Sequence, residues 1–336
     1  MMRISPKLLR LTAPQWPQAS RLVQRGNLSG PRMAANNSSN SKGAIVERVD
    51  NFDEIQSKRP EFDHSGTPIE VTQSPDPRWT YGQGVRTRGG DSAVPSHREI
   101  DPYAPDRPMI SNYRLLVSGI APRPVGFLST VSRDGRKNLA PFSYFQVVDH
   151  DPPTFVVGFS SRGRAAAAGP EKDSYRNLRD TGECVINTVS EDMIEAVNAT
   201  SIDAPPGVSE WDVSGLREAP AATVRPSRVR ESVFSIEAKV VDVKELGDHA
   251  EGGGKSAAAA AGMVLLKATR FWVREDAADA EFSHIELDKL RPVGQLGGRS
   301  YGRITSTFEV PRRRWQDEEP QSELLQGLSR ARQDQK

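Results

Sequence analysis

The sequence has one cysteine, few histidines and no long apolar run. Cys184 stands alone among 336 residues, which excludes an internal disulfide and any metal site made of several cysteines. Because Cys184 lies in an apolar run, we expect a buried thiol rather than a nucleophile. The 5 histidines show no pair at metal-ligand spacing. No apolar stretch approaches the roughly 20 residues of a membrane-spanning helix, so we expect no membrane partner.

Neither sign of charge is in excess. The chain has 45 Lys and Arg against 44 Asp and Glu, a formal net charge of +1, so the composition gives no argument for binding nucleic acid. The hydrophobic content of 36% and the mean hydropathy of -0.57 are low for a wholly globular protein. We therefore expect a folded body with segments at both ends that contribute little to the core.

Acidic residues are absent from residues 1–46, and Glu47 is the first. The same stretch carries seven Lys and Arg residues with several Ser and Asn, a composition typical of an organelle transit peptide. It predicts a mitochondrial presequence. A disordered tail on a cytoplasmic protein, with Met33 as an alternative start, is the other interpretation.

Three further segments follow from the composition. Residues 47–110 are polar and proline-rich with scattered aromatic residues, which predicts an extended arm lying over a folded body, or else a linker. Residues 111–304 contain the strand and helix patterns and form the predicted body. Residues 305–336 are a charged C-terminal tail.

The clearest local pattern lies in residues 122–145. Residues 125–131 alternate with the period of two that a strand requires, and Asp134-Gly135 then predicts a tight hairpin turn. We expect Pro141 to break the returning strand, because proline donates no N–H group. A broken strand with Asn, Ser and aromatic side chains suits either a ligand site or a bulged edge strand, and the pattern leaves both open.

A second candidate site lies in residues 172–182. Asp173 or Ser174 can cap a short helix there, and Gly182 can end it. The N–H groups of such a helix start, with Lys172 beside them and Ser160 upstream, suit a phosphate. An ordinary capped surface helix is the alternative. Several strands with short helices and no β-α-β rhythm predict an antiparallel barrel, and the absence of a Gly-x-Gly-x-x-Gly fingerprint argues against a doubly wound dinucleotide domain.

A series of short motifs runs through the body in a fixed order. In sequence they are residues 122–124, 129–130, 138, 140–143, 145, 151–153, 172–174, 177, 181–183, 187, 205–210, 215–216, 291–294, 297–298 and 301. The ordered set over about residues 111–304 resembles the flavin reductase-like family of FMN-binding split barrels. The resemblance implies a mainly β fold, a six-stranded antiparallel Greek-key split β-barrel with a few short helices, flanked by disordered or extended N- and C-terminal segments. It also implies a homodimer.

The resemblance implies an FMN site near the subunit interface. Residues 138–145 would contact the flavin ring, and residues 172–174 would hold the phosphate. The implied cofactor-binding residues are Arg123, Ser129, Thr130, Asn138, Ala140, Ser143, Tyr144, Phe145, Ser160, Lys172, Asp173 and Ser174. The chain departs from the family pattern at Ser174, where Thr is usual, at Gln146, where Asn is common, and at Gln295, where Arg is common.

The implied function is that of an FMN-binding oxidoreductase that passes hydride from NADH or NADPH to flavin and on to an acceptor. The partners would then be flavin, a nicotinamide nucleotide and a second copy of the chain. No catalytic residue is assigned; His284 is either a proton donor or a structural histidine. The alternatives are an FMN-dependent oxygenase with another substrate and a non-enzymatic module that binds FMN or a partner.

Overall fold

The computed structural model describes residues 52–85, 96–160, 171–202, 204–205, 207–246 and 261–333. The predicted presequence and Met33 lie outside these residues, so the mitochondrial location stays a prediction. Within the described ranges, no helix is both long and apolar enough to cross a bilayer.

Strands, two of them 13 residues long, and short helices alternate irregularly along the part of the chain that the structure describes. The strands are β1 (Glu70–Thr72), β2 (Arg123–Pro124), β3 (Gly126–Val131), β4 (Lys137–Phe142), β5 (Phe145–His150), β6 (Pro153–Phe159), β7 (Glu183–Asn187), β8 (Glu218–Ala219), β9 (Arg228–Val229), β10 (Phe234–Leu246), β11 (Ala261–Val273), β12 (Val293–Gly297), β13 (Ser300–Arg303) and β14 (Ser306–Phe308). The α-helices are α1 (Phe52–Ser57), α2 (Met109–Gly119), α3 (Asp173–Thr181), α4 (Ile194–Ala199), α5 (Glu210–Ser214), α6 (Leu287–Leu290), α7 (Trp315–Glu318) and α8 (Glu323–Gln333).

The main sheet has the strand order β4-β3-β7-β10-β11-β6-β5, and all neighbours are antiparallel. This confirms a mainly β, antiparallel body with short helices. The sheet has seven strands where six were predicted. No pairing among the described strands joins the edge strands β4 and β5, so Greek-key barrel closure stays a prediction. A smaller sheet, β13-β12-β2, adjoins the start of β3.

The β3–β4 hairpin forms as the sequence predicts, with Gly135 at φ 87° in its turn. The prediction for Pro141 was wrong, because Pro141 pairs with Phe127 inside β4. Strand β4 lies at the sheet edge, where a residue without an N–H group is tolerated on the unpaired side. The chain bends instead at Ser143 and Tyr144, between β4 and β5.

Both faces of β3 are buried. Leu128 packs into the cluster that α3 covers, with Leu178 and Leu266, while Phe127 packs into a second cluster with Met193 and Trp211. The predicted burial of Cys184 is confirmed: the residue is fully buried in the first cluster, and burial raises the pKa of its thiol. Alternate side chains of β3 therefore pack into two different apolar clusters, and neither face of the strand is exposed to solvent.

The two terminal segments contact each other and the body. Strand β1 pairs in parallel with β14, the Ile69 N–H donates to Asp288 Oδ1 at 2.8 Å, and Arg291 Nη2 donates to the Thr67 carbonyl at 2.9 Å. Leu325 of α8 is buried. The arm thus lies over the body of its own chain, and the expectation of a disordered or extended C-terminal segment is wrong for residues 315–333, which are largely helical. A strand of three residues whose partner is more than 200 positions away leaves no local pattern to recognise.

The carboxylate of Glu237, inside the main sheet, is hydrogen-bonded to the loop that contains Ala222 and Thr223. Glu237 on β10 is fully buried and accepts hydrogen bonds from the Ala222 N–H at 2.7 Å, the Thr223 N–H at 2.6 Å and Trp272 Nε1 at 2.6 Å. Burial raises the pKa of this carboxyl. The hydrogen bonds from Thr223, Ala222 and Trp272 lower the pKa by more than burial raises it, so the pKa lies below its ordinary value.

Replacing Glu237 with Ala should destabilise the protein by on the order of 3 kcal/mol at pH 7, because several buried donors lose their acceptor. A carboxyl with a lowered folded-state pKa stabilises the fold above its unfolded pKa of 4.5, and loses that contribution as the pH falls through the folded-state value. Urea unfolding at pH 7 and pH 3.5 measures both effects, with exposed Glu245 of the same strand replaced by Ala as the control. Equal stability of the Glu237 and Glu245 variants would contradict this account.

Candidate functional site

A cavity of about 780 Å³ opens between α2, the start of α3 and the bend between β4 and β5. Its volume lies in the range of small-molecule sites, roughly 300–1,000 Å³. The lining residues are Met109, Ile110, Asn112, Tyr113, Leu116, Ala140, Pro141, Phe142, Tyr144, Ser160, Glu171, Lys172, Asp173, Ser174, Thr200, Ser201, Ile202, Ala204 and Glu210. Six of the predicted cofactor-binding residues are among them: Ala140, Tyr144, Ser160, Lys172, Asp173 and Ser174.

The polar end of the cavity is the first turn of α3. Lys172 precedes this helix with extended backbone angles, and no side chain caps it, so the prediction of a cap by Asp173 or Ser174 was wrong. Gly182 ends the helix at φ 71°, as predicted. Without a side-chain cap, the first N–H groups of α3 stay available as donors to an anion. The Lys172 ammonium lies 5.3 Å from the centre of the Phe142 ring.

Two carboxylates flank Lys172, and each is paired with an arginine of α3. Arg179 binds Glu171 with both of its terminal nitrogens, at 2.6 and 3.0 Å, and Arg176 binds Asp173. The cavity lining itself holds the acidic Glu171, Asp173 and Glu210 and the basic Lys172. The arginines reduce the repulsion that Glu171 and Asp173 would otherwise exert on an anion.

A buried hydrogen-bond network positions Ser174. Thr130 Oγ1 accepts from Asn138 Nδ2 at 3.2 Å and from Asn177 Nδ2 at 3.0 Å, and Asn138 Nδ2 also donates to Ser174 Oγ at 2.8 Å. All four side chains are buried. Thr130 and Asn138 lie behind the cavity lining, and Ser174 lies in it. Because Ser174 Oγ accepts from Asn138, its O–H group can donate to a ligand.

Arg123 and Ser143 lie outside the lining. Arg123 is buried; its guanidinium donates to the Val117 carbonyl, to the Ile120 carbonyl at 2.6 Å, to Ser143 Oγ at 3.4 Å and to Gln295 Oε1 at 3.3 Å. These bonds tie the end of α2 to the β4–β5 bend and to β12. The Arg123 guanidinium is therefore hydrogen-bonded to other parts of the protein, and Arg123 lies beside the cavity and outside its lining.

The remaining predicted residues also lie outside the lining. Ser129 is buried within β3, and Phe145 stacks on Phe155 with ring centres 6.1 Å apart. A Cβ atom on Gly126 would come within 2.7 Å of the Phe145 ring, so this glycine allows the ring to lie flat against β3. His284 is exposed, and its backbone N–H donates to Asp279 Oδ1 at 3.0 Å. No group of three metal-binding side chains occurs in the part of the chain that the structure describes.

Sequence reasoning missed one wall of the cavity. Helix α2 contributes Met109, Tyr113 and Leu116, whose i, i+4, i+7 spacing is a helical signal that was present in the sequence. Tyr144 lies at the bend, and burial raises the pKa of its hydroxyl, with Tyr113 adding to the effect. Tyr144 is therefore a neutral O–H donor near pH 7.

The residues present fit a flavin mononucleotide. An uncapped helix start with one lysine and serine hydroxyls suits a phosphate, and an apolar wall with two tyrosines suits a planar ring. The two ends share one cavity, so a single ligand can contact both.

Comparison with known proteins gives consistent matches. Residues 118–290, about half of the chain, match the family described as Flavin reductase like domain. A protein of Halalkalibacterium halodurans is 37% identical over 201 residues, which cover 60% of this chain and 90% of that protein. A protein of Deinococcus radiodurans is 31% identical over 232 residues, covering 66% and 94%.

Two solved structures are also similar to this chain. Nitrilotriacetate monooxygenase component B from Bacillus cereus superposes with a TM-score of 0.57 at 28% identity, over 65% of this chain and 100% of that chain. A split-barrel structure from Shewanella frigidimarina, described as a flavin reductase, gives a TM-score of 0.51 at 18% identity over 62% and 95%. The second match shows the fold alone.

Replacing Thr130 with Val should destabilise the protein by about 2 kcal/mol, because the Asn138 and Asn177 amides lose a shared buried acceptor. Thr130→Ser keeps the hydroxyl and is the matched control. Chemical denaturation of both variants measures the difference. If the Val variant were as stable as the Ser variant, the network would not hold α3 against the hairpin.

Proposed function

Because the chain belongs to the flavin reductase like family, we propose that it is an FMN-binding oxidoreductase that takes electrons from NADH or NADPH and passes them to an acceptor. Family membership supports a flavin-related, oxidoreductase-type role. The choice of FMN and of a nicotinamide donor is the finer part of the proposal. The observation that carries it is the single cavity that joins the uncapped start of α3 to the apolar wall of α2.

The phosphate end of the proposed site uses α3. Ser174 would donate its O–H group, because its oxygen already accepts from Asn138. Lys172 would supply a positive charge, and the first N–H groups of the helix would supply directed donors. Ser160 lies in the same lining and is a further donor.

The ring end uses the bend between β4 and β5. Ala140, Pro141 and Phe142 line the cavity along the edge strand, and Tyr144 follows them. A bound flavin would supply the two-electron chemistry. The residues of this chain would then bind and orient the ligands and keep water out of the site. Tyr144, with its raised pKa, would offer a neutral hydroxyl rather than a charge to the ring.

The proposal includes a homodimer. Strand β5 is an edge of the main sheet, and its Val147 and Val148 are 54% and 56% exposed. Exposed apolar residues on an edge strand are typical of a surface that another chain covers. Sedimentation equilibrium of the full chain gives the subunit number.

A second candidate function is that of one component of a monooxygenase. It is supported by the likeness to component B of nitrilotriacetate monooxygenase from Bacillus cereus. In that role the chain would oxidise NADH or NADPH but would need a separate protein to use oxygen on a substrate.

Replacing Lys172 and Ser174 together with Ala should weaken FMN binding at least about tenfold, because a charge and a hydroxyl donor to the phosphate are lost. Flavin fluorescence during titration gives the dissociation constant. Lys267→Ala, at an exposed position of β11, is the control, and Lys172→Ala alone leaves the buried network intact. An unchanged dissociation constant in both variants would remove the phosphate assignment.

The full chain should oxidise NADH or NADPH with FMN present, and activity should fall to background without FMN. Absorbance at the nicotinamide band measures the rate, and added free FMN tests whether flavin is also the acceptor. FMN binding without any nicotinamide oxidation would instead favour a non-enzymatic FMN-binding module.

A further inference from the structure

Arg123 is a buried positive charge beside the ring end of the proposed site. The residue is 7% exposed, and among the residues that the structure describes only Glu237 is also both charged and buried. Removing a charge from water costs free energy, and a buried arginine is rarely found without an acidic partner. The partners of Arg123 therefore decide what its charge can do.

The hydrogen-bond partners of Arg123 are all neutral. Its guanidinium donates to the carbonyls of Val117 and Ile120, to Ser143 Oγ at 3.4 Å and to Gln295 Oε1 at 3.3 Å. Within the described ranges, no carboxylate lies within 4.0 Å of its nitrogens. Because the guanidinium of arginine stays protonated in proteins, its full charge is held here without an adjacent negative charge.

The charge of Arg123 acts on the cavity at the bend between β4 and β5. Ser143 lies in that bend, and the next residue, Tyr144, lines the cavity. Burial raises the pKa of the Tyr144 hydroxyl, whereas the Arg123 charge lowers that pKa, so the charge is effective at a group of the lining. The charged residues of the lining itself belong to the start of α3, the two residues before it and α5: Glu171, Lys172, Asp173 and Glu210.

We propose that Arg123 strengthens the binding of reduced FMN relative to oxidised FMN, and thereby raises the reduction potential of the bound cofactor. This inference rests on the proposed function. Hydride transfer moves two electrons and one proton: a carbon–hydrogen bond of the nicotinamide breaks, a nitrogen–hydrogen bond forms on the flavin, and one negative charge is added to the ring. A fixed positive charge behind the cavity wall stabilises that negative charge, most strongly where water is excluded.

A purely structural role is the competing explanation, because the same hydrogen bonds hold the end of α2 against the bend. Structural loosening would weaken the binding of oxidised and reduced FMN by the same factor. The reduction potential depends on the ratio of those two dissociation constants, so it would then stay unchanged. Loss of the charge would weaken reduced FMN more and would lower the potential.

The test uses variants of Arg123 and Gln295 in the full chain with FMN bound. Gln295→Glu places a carboxylate at the guanidinium and keeps an acceptor there, whereas Gln295→Met removes the acceptor without adding a charge. Arg123→Gln removes the charge, and Arg123→Lys keeps it. Reductive titration against a reference dye gives the potential, and flavin fluorescence gives the dissociation constant of oxidised FMN.

Arg123→Gln should weaken reduced FMN about tenfold more than oxidised FMN, which lowers the potential by about 30 mV for a two-electron couple. Gln295→Glu should cause at least about a threefold difference, or about 14 mV, because its carboxylate compensates the charge. Arg123→Lys and Gln295→Met should keep the potential within about 5 mV of the wild type, even where they weaken oxidised FMN binding.

An unchanged potential in Gln295→Glu would overturn the proposal, whether or not Arg123→Gln folds. Equal losses of affinity for oxidised and reduced FMN in Arg123→Gln would also overturn it and would leave Arg123 a structural role. A fall in Gln295→Met as large as that in Gln295→Glu would have the same consequence. Failure of the wild type to bind FMN would instead overturn the proposed function, together with the inference that rests on it.

Discussion

Two buried amide hydrogen bonds tie α3 to the β3–β4 hairpin, a third joins the two strands of the hairpin, and the geometry of the cavity depends on all three. Thr130 accepts from two asparagines, and one of these, Asn138, also donates to Ser174. Buried polar groups of this kind are costly when one partner is missing, so the four side chains fix one arrangement. That arrangement brings Ser174 and the uncapped N–H groups of α3 to the same cavity.

The two ends of the cavity come from different parts of the chain. The polar end, on α3 and β4, lies within the segment that matches the family, while the apolar wall on α2 precedes it. Arg123 connects the two parts, because its guanidinium contacts the carbonyl end of α2, Ser143 at the bend and Gln295 on β12. A buried guanidinium with this many acceptors holds the end of α2 in a fixed position against the β4–β5 bend and β12.

Local features could be predicted from the sequence, and features that depend on distant partners could not. The alternation in β3, the turn at Gly135 and the end of α3 at Gly182 each need only neighbouring residues. Pro141 was misjudged because its tolerance depends on β4 being an edge strand, which is a property of the whole sheet.

The same distinction applies to the site. The resemblance named Asn138, Thr130 and Ser174, and in the structure Asn138 donates hydrogen bonds to both of the others. Arg123 has the right chemistry for a phosphate, but it donates to the carbonyl of Val117 in α2 and to that of Ile120 just after it, and this helix was not predicted. The α2 wall was missed because the proline-rich composition around it obscured a helical spacing of three residues.

The central claim is that one cavity binds FMN with its phosphate at α3 and its ring toward α2 and the bend. A crystal structure of the full chain grown with FMN tests this most directly. The account predicts phosphate oxygens within hydrogen-bond distance of Ser174 Oγ and of the first N–H groups of α3, with the ring beside Tyr144. Flavin density elsewhere on the protein, or a phosphate remote from α3, would contradict it.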